Sequence, residues 1–206
     1  MIIYTESNWF LDLVYQQAHF SAAQDLLVLH EQGHICLVWP SVCVTETAQS
    51  LEYRRLSYLD RLSRHLEEAL REFANIDLAS VVTQRRALMV TRRLTDRVRA
   101  ELDRRFDDWT QRIFDAHLEM IPLTAATIAQ ARQFQGQFDL ERADARILAS
   151  VLSHAPTQAD PERLFLNRDR HFDTDEIRAE LRAAGVELVN DPDNLVNHRI
   201  RGLFRI

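Results

Sequence analysis

The fold is indicated by the first forty residues, which read MIIYTESNWF LDLVYQQAHF SAAQDLLVLH EQGHICLVWP. The apolar run at residues 1–4 predicts a short buried strand, and residues 35–39 predict a second strand that Pro40 closes. Between the two strands the apolar periodicity favours two helices, the second of which stops at Gly33. Strand, helices and strand in this order are typical of a parallel α/β sheet.

The same alternation returns near the end of the chain. The pattern predicts a short strand at 120–121, helices at 124–134 and 141–154, a strand at 164–167, a helix at 175–184 and a last strand at 186–189. The expected fold is therefore a three-layer α/β/α sandwich with a mostly parallel sheet of four or five strands.

The middle of the chain has a different character. Residues 54–118 contain no glycine and no proline, and apolar residues recur there at spacings of three and four. This pattern predicts helices, including one long helix from about residue 84 to 115. We expect a helical insertion at about 54–118 within a single domain that spans residues 1–206.

Composition excludes several classes of protein. The chain has 206 residues, of which 46% are hydrophobic and 27% charged, as in ordinary soluble proteins. No apolar run approaches a membrane span, and two cysteines cannot form a disulfide framework, so we expect a cytoplasmic protein without membrane contact. Only four well-separated glycines occur, which excludes a P-loop and a glycine-rich dinucleotide site.

The charges are unevenly distributed. The net charge is −6, which argues against a general nucleic-acid binder but is compatible with an acidic site beside a basic patch. If residues 84–116 form one helix, four arginines share a narrow sector of it: Arg86, Arg93, Arg97 and Arg104. Two interpretations are open, a solvated face paired with acidic neighbours or a ridge that contacts the RNA backbone.

Four acidic residues stand where an α/β sheet places its functional groups. Glu6 follows the first strand, Glu46 lies in the helix after the second, Asp144 is near a helix start, and Asp169 follows the 164–167 strand. The carboxyl ends of parallel strands face the ligand crevice, so we expect the four to meet there. Singly, each could cap a helix or turn. Together they would repel one another unless they bound a cation, and oxygen ligands suit Mg²⁺ or Mn²⁺.

The sequences around these acids resemble the motifs of PIN-like (PilT N-terminus) nucleases. The four matching elements are Glu6-Ser7-Asn8-Trp9-Phe10-Leu11, Thr45-Glu46, Asp144-Ala145-Arg146-Ile147-Leu148-Ala149 and Phe165-Leu166-Asn167-Arg168-Asp169-Arg170-His171-Phe172. The resemblance covers about residues 1–53 and 119–190. The first acid of the family is usually Asp, so Glu6 is one methylene longer, which could shift a bound metal.

This resemblance implies a Mg²⁺- or Mn²⁺-dependent endoribonuclease, with Glu6, Glu46, Asp144 and Asp169 as catalytic metal ligands. Ser7 and Asn167 would orient those ligands. RNA is the implied substrate. It stays open whether the chain is the toxin of a toxin–antitoxin pair, with a protein antitoxin as its partner. It also stays open whether the chain forms a homodimer. The alternative is a non-catalytic PIN-like module that binds RNA or protein.

A second motif, His30-Glu31-Gln32-Gly33-His34, fits the H-E-x-x-H pattern of zinc peptidases. That chemistry needs both histidines on one helical face. The predicted helix stops at Gly33, so His34 should lie outside it. We therefore interpret the motif as a helix C-terminus rather than a zinc site.

Overall fold

The computed structural model describes residues 1–75 and 79–204, and the chain divides into two compact units. We call Met1–Thr47 together with Thr110–Ile206 the sheet unit, and Ala48–Trp109 the helical unit. Residues 76–78 of the predicted helical segment lie outside the described residues. That this segment is an insertion in one domain stays a prediction.

The sheet contains five strands, all of them parallel. They are β1 (Ile2–Thr5), β2 (Cys36–Pro40), β3 (Glu119–Ile121), β4 (Arg163–Leu166) and β5 (Val186–Val189). Their order is β3-β2-β1-β4-β5. With helices flanking this sheet, the predicted α/β sandwich is confirmed, and the sheet has the larger of the two expected strand numbers.

Helices occupy most of the remaining chain. They are α1 (Ser7–Tyr15), α2 (Phe20–Glu31), α3 (Ser41–Arg54), α4 (Arg61–Glu72), α5 (Ala79–Asp115), α6 (Ala125–Phe138), α7 (Arg142–His154), α8 (Asp175–Ala183), α9 (Pro192–Asn194) and α10 (Arg201–Phe204). Among the described helices, none has the length and apolar character needed to cross a membrane.

The central strand β1 sets the position of the core. All four of its residues are buried, and Ile2 is in register with Cys36 of β2 and with Arg163 of β4. A strand covered on both faces must be apolar, which explains the sequence Ile-Ile-Tyr. The hydroxyl of Tyr4 satisfies its hydrogen-bonding need with His154 Nδ1, 3.1 Å away.

The helical unit contains α4 and most of α5. Arg92 lies 2.8 Å from Glu67, and Arg99 pairs with Asp60. The apolar residues at spacings of three and four predict a stripe on α5, and it is confirmed in part. Six of its predicted members are buried or half-buried, namely Leu88, Thr95, Leu102, Phe106, Trp109 and Ile113, whereas Thr91 and Val98 are exposed.

We expect Gly185→Ala to destabilise the protein by about 1–3 kcal/mol, because the backbone there is left-handed and disfavours any side chain. Gly185 has φ +71°, and an added Cβ would lie 3.2 Å from Arg163 Nη2. Urea unfolding measures the effect. The matched control is Gly136→Ala inside α6, where nothing lies within 4 Å. That substitution should stabilise by about 0.5–1 kcal/mol, and equal effects at both positions would contradict the argument.

Candidate active site

The site lies at the carboxyl edge of the sheet, where the strand order changes direction. From β1 the chain proceeds outward through β2 to β3, whereas β4 and β5 extend the sheet on the other side of β1. Such a switch point leaves a crevice at the carboxyl ends of the two adjoining strands. Glu6 directly follows β1, and Asp169 comes three residues after the end of β4.

Asp144 and Asp169 form the centre of the site together with His171. One ligand atom from each of the three lies within 4.8 Å of the others. His171 Nδ1 is 3.5 Å from Asp169 Oδ1 and 3.9 Å from Asp144 Oδ2. Asp144 occupies the first turn of α7, where the helix dipole favours an anion.

Burial and repulsion oppose the ionisation of Asp144. They raise the pKa of its carboxyl from 3.8 to about 6, with burial as the largest cause, followed by the charges of Asp169, Glu46 and Glu141. His171 acts in the opposite direction. A group of carboxylates that repel one another is the arrangement that a divalent cation stabilises.

Glu46 joins this group from α3. Burial raises the pKa of its carboxyl first, and the charges of Asp169 and Glu141 raise it further. The hydroxyl of Ser7 donates a hydrogen bond to Glu46 Oε2. Glu46 is therefore electrically coupled to both Asp144 and Asp169, although it lies outside their closest group.

Glu6 is the most buried of the four acids, with 5% of its surface exposed. Its Oε2 accepts a hydrogen bond from the backbone N–H of Asn8 at 2.7 Å and so caps α1. Burial raises the pKa of Glu6 to about 8, and the charge of Glu46 contributes to that rise. Glu6 therefore interacts electrostatically with Glu46 at the edge of the site, and its Oε2 already accepts the capping hydrogen bond of α1.

The loop after β4 is held rigidly from both sides. Asn167 is 1% exposed, and its Oδ1 accepts a hydrogen bond from the backbone N–H of Asp169 at 2.6 Å. Asp169 in turn caps the short turn at Arg170–Phe172 by accepting from the His171 N–H at 3.0 Å. Phe172 is buried and packs edge-on against Phe165, with ring centroids 5.4 Å apart. Asp169 therefore has both a capping role and a position in the acidic group.

Three residues near the site, His171, Glu141 and Arg168, had no role predicted from the sequence. His171 lies within the quoted motif, two residues after Asp169. Glu141 precedes α7 and adds negative charge near Asp144. Arg168 forms a 2.7 Å ion pair with Asp12, whose side chain is 3% exposed. The signal for His171 was its spacing, which brings it beside Asp169, but no signal in the sequence pairs Arg168 with a residue in α1.

The four arginines of the predicted ridge differ in their contacts. Arg104 is paired with Glu101 at 2.8 Å and with Asp108 on its own helix, which agrees with the solvated-face interpretation. In the part of the chain that the structure describes, Arg86, Arg93 and Arg97 have no hydrogen-bond or ion-pair partner. Contact between this ridge and RNA stays a prediction.

The H-E-x-x-H motif has structural contacts. Helix α2 ends at Glu31, so His34 lies outside it, as predicted. His30 Nδ1 accepts from the backbone N–H of Leu37 at 3.2 Å, and its Nε2 lies 3.1 Å from the carbonyl of Ala116. Arg112 binds both oxygens of Glu31 at 2.9 Å. Because both nitrogens of His30 are engaged, the ring is not available to zinc.

Comparison with known proteins gives one match. A family model described as PIN domain matches residues 3–172. The matched range contains the four acids as well as His171. Neither a curated protein nor a solved structure matches the chain.

We expect Asp144→Asn to stabilise the metal-free protein at high pH. The pKa of Asp144 is about 6 in the folded protein and 3.8 in the unfolded chain, so the folded protein binds the proton more tightly. The contribution of this proton to the free energy of unfolding is therefore fully present below about pH 4. That contribution is lost as the pH rises through 6. The neutral amide should therefore add about 1–3 kcal/mol to the free energy of unfolding at pH 8 and nothing near pH 4. Urea titrations in EDTA measure both values.

Asp173→Asn is the matched control for that experiment. Arg178 lies 2.6 Å from Asp173 and holds the pKa of its carboxyl below the ordinary value. The sign is opposite here, since the contribution of Asp173 is present above its ordinary pKa and is lost as the pH falls. A loss of stability on Asp144→Asn at pH 8 would contradict the description of this site as electrostatically strained.

Proposed function

The chain belongs to the PIN domain family, and on that basis we propose that it is an endoribonuclease that hydrolyses RNA phosphodiester bonds with Mg²⁺ or Mn²⁺. Membership of this family indicates a nuclease-type function and the use of divalent metals. The observation that carries the proposal is the group formed by Asp144, Asp169 and His171, with Glu46 coupled to it.

The donor set fits a hard divalent ion. Asp144 and Asp169 would supply carboxylate oxygens from one group, and Glu46, which accepts a hydrogen bond from Ser7, would supply a third carboxylate from outside that group. Carboxylate oxygens favour Mg²⁺ or Mn²⁺, whereas the imidazole of His171 in the same group is a ligand that zinc also accepts. Glu6 would add a fourth carboxylate, since only one of its oxygens is used by α1. When bound, the ion supplies Lewis-acid activation of water and of the scissile phosphate.

The residues of the chain prepare the site for that ion. Asn167 fixes the backbone of Asp169, so the carboxylate needs little reorganisation when it binds. Asp144 and Glu6 must lose their protons to bind the ion, and their pKa values are raised to about 6 and about 8, so activity should rise with pH across this range. The ring of His171 is 62% exposed and lies beside both aspartates, so it can contact a substrate bound at the site.

We expect Asp144→Asn and Asp169→Asn to lower RNA cleavage by several orders of magnitude, on the order of 10³-fold or more, because each removes a charge that holds the cation. The wild type should gain melting temperature on addition of Mn²⁺ at pH 7.5. Both variants should lose that gain, and the wild type should lose it at pH 5, where Asp144 is protonated. The measurements are cleavage of mixed-sequence single-stranded RNA and thermal unfolding, each with and without Mn²⁺.

The control variant is Asp107→Asn, which removes an exposed carboxylate of α5 and should leave both measurements unchanged. Two results would overturn the proposal. A wild type that binds no Mn²⁺ and cuts no RNA would favour a non-catalytic module that binds RNA or protein. Variants that cut at the wild-type rate would place the activity outside this group of acids.

A further inference from the structure

We propose that the exposed face of α5 in the helical unit binds an acidic amphipathic helix of a protein partner. This face, which we call the α5 face, consists of Arg86, Val90, Arg93, Leu94, Arg97 and Val98. The proposal is independent of the nuclease function.

Two parallel rows of side chains make up the α5 face. Val90, Leu94 and Val98 follow one another at intervals of four residues and therefore form one stripe along the helix. Their exposed fractions are 55%, 52% and 49%. Single exposed apolar residues are common on proteins, whereas contiguous exposed apolar side chains are typical of interaction sites.

The arginines run beside that stripe. Arg86 and Arg93 are two turns apart, and Arg97 follows one turn later, so the three form a neighbouring row. Among the residues that the structure describes, none is bound to a carboxylate or to any other hydrogen-bond acceptor. Unpaired guanidinium groups beside apolar side chains match a ligand that presents acids beside its own apolar residues.

A cavity at one margin of the face offers an anchor point. It has a volume of about 360 Å³ and is lined by Leu70, Arg85, Met89, Arg92, Arg93 and Asp96. Met89 and Leu70 give it an apolar wall, and Arg85 adds another guanidinium without a partner in the described residues. Methionine-lined recesses accept apolar side chains of varied shape. A partner helix could place one large apolar residue there.

Two other occupants fit less well. RNA would use the arginines through its phosphates but would leave Val90, Leu94 and Val98 in water. A second copy of this face is disfavoured by charge, because residues 82–98 carry five arginines and one acid, so that two copies would repel. An acidic helix uses both rows at once.

The test uses the full-length protein and a synthetic helical peptide of about 18 residues, built of leucine, alanine and glutamate, with leucines in one stripe and glutamates on both flanks. Fluorescence anisotropy at about 0.15 M salt measures its binding. Leu94→Gln with Val98→Gln should weaken the peptide about 10-fold or more, and so should Arg86→Gln with Arg93→Gln. Both pairs are exposed, so the fold should survive.

Matched controls separate this surface from general effects. Arg104→Gln removes an arginine already paired with Glu101 and Asp108, and Leu62→Gln removes an exposed leucine of α4. Both should bind the peptide like the wild type. A second peptide with lysine in place of glutamate should not bind.

Three results would overturn the proposal. The first is a peptide that does not bind, or that binds the variants of the α5 face as well as it binds the wild type. The second is that a single-stranded RNA of about 12 nucleotides binds while the peptide does not, and that only the arginine substitutions weaken the binding of this RNA. The third is a wild-type dimer in sedimentation that Leu94→Gln with Val98→Gln dissociates, which would assign the face to a second copy of the chain.

Discussion

The pairing of β1 with both β2 and β4 is the constraint on which the site depends. Because β1 is central and parallel to both neighbours, its carboxyl end adjoins that of β4 at the point where the strand order reverses. Residues 6 and 169, which are far apart in the chain, thereby reach one edge. The complete burial of β1 makes this register costly to shift, since a slip of one residue would turn its side chains to the opposite faces.

The acids at that edge are held in place by hydrogen bonds that exist without a metal. Glu6 caps α1, Asp169 caps a turn, and Ser7 binds Glu46. These contacts offset part of the cost of bringing the carboxylates together, and protonation of Asp144 offsets more. A pKa raised by one corresponds to about 1.4 kcal/mol of added preference for the neutral carboxyl. A cation that replaced protons here would bind to ligands that are already positioned. Because it would also relieve the repulsion among the carboxylates, that repulsion would increase the affinity of the site for the ion.

The fold could be predicted from the sequence because it follows local patterns, and the four acids could be placed near the sheet edge for the same reason, whereas their roles stay predictions. The strands are apolar runs, and Asp144 and Asp169 lie at fixed offsets from predicted elements. Other parts of the site depend on side chains that meet only in three dimensions. The ion pair between Arg168 and Asp12 joins residues on different elements, and the coupling of Glu141 to Glu46 has no spacing that would reveal it. The capping role of Glu6 was foreseen only as a general property of acids.

The arginines of α5 differ in the acidic residues that lie near them in the sequence. An arginine on a helix can pair with an acid three or four residues away. Arg93 has Asp96 three residues later but does not pair with it. Arg104 has Glu101 and Asp108 at these distances and pairs with both. Arg86 has none, because residues 82, 83, 89 and 90 are uncharged. Arg97 has Glu101 four residues later, but that carboxylate is taken by Arg104 and Arg105. The four arginines share one side of the helix but differ in pairing. Arg104 is paired, and within this set only Arg86, Arg93 and Arg97 have guanidinium groups free to bind another molecule.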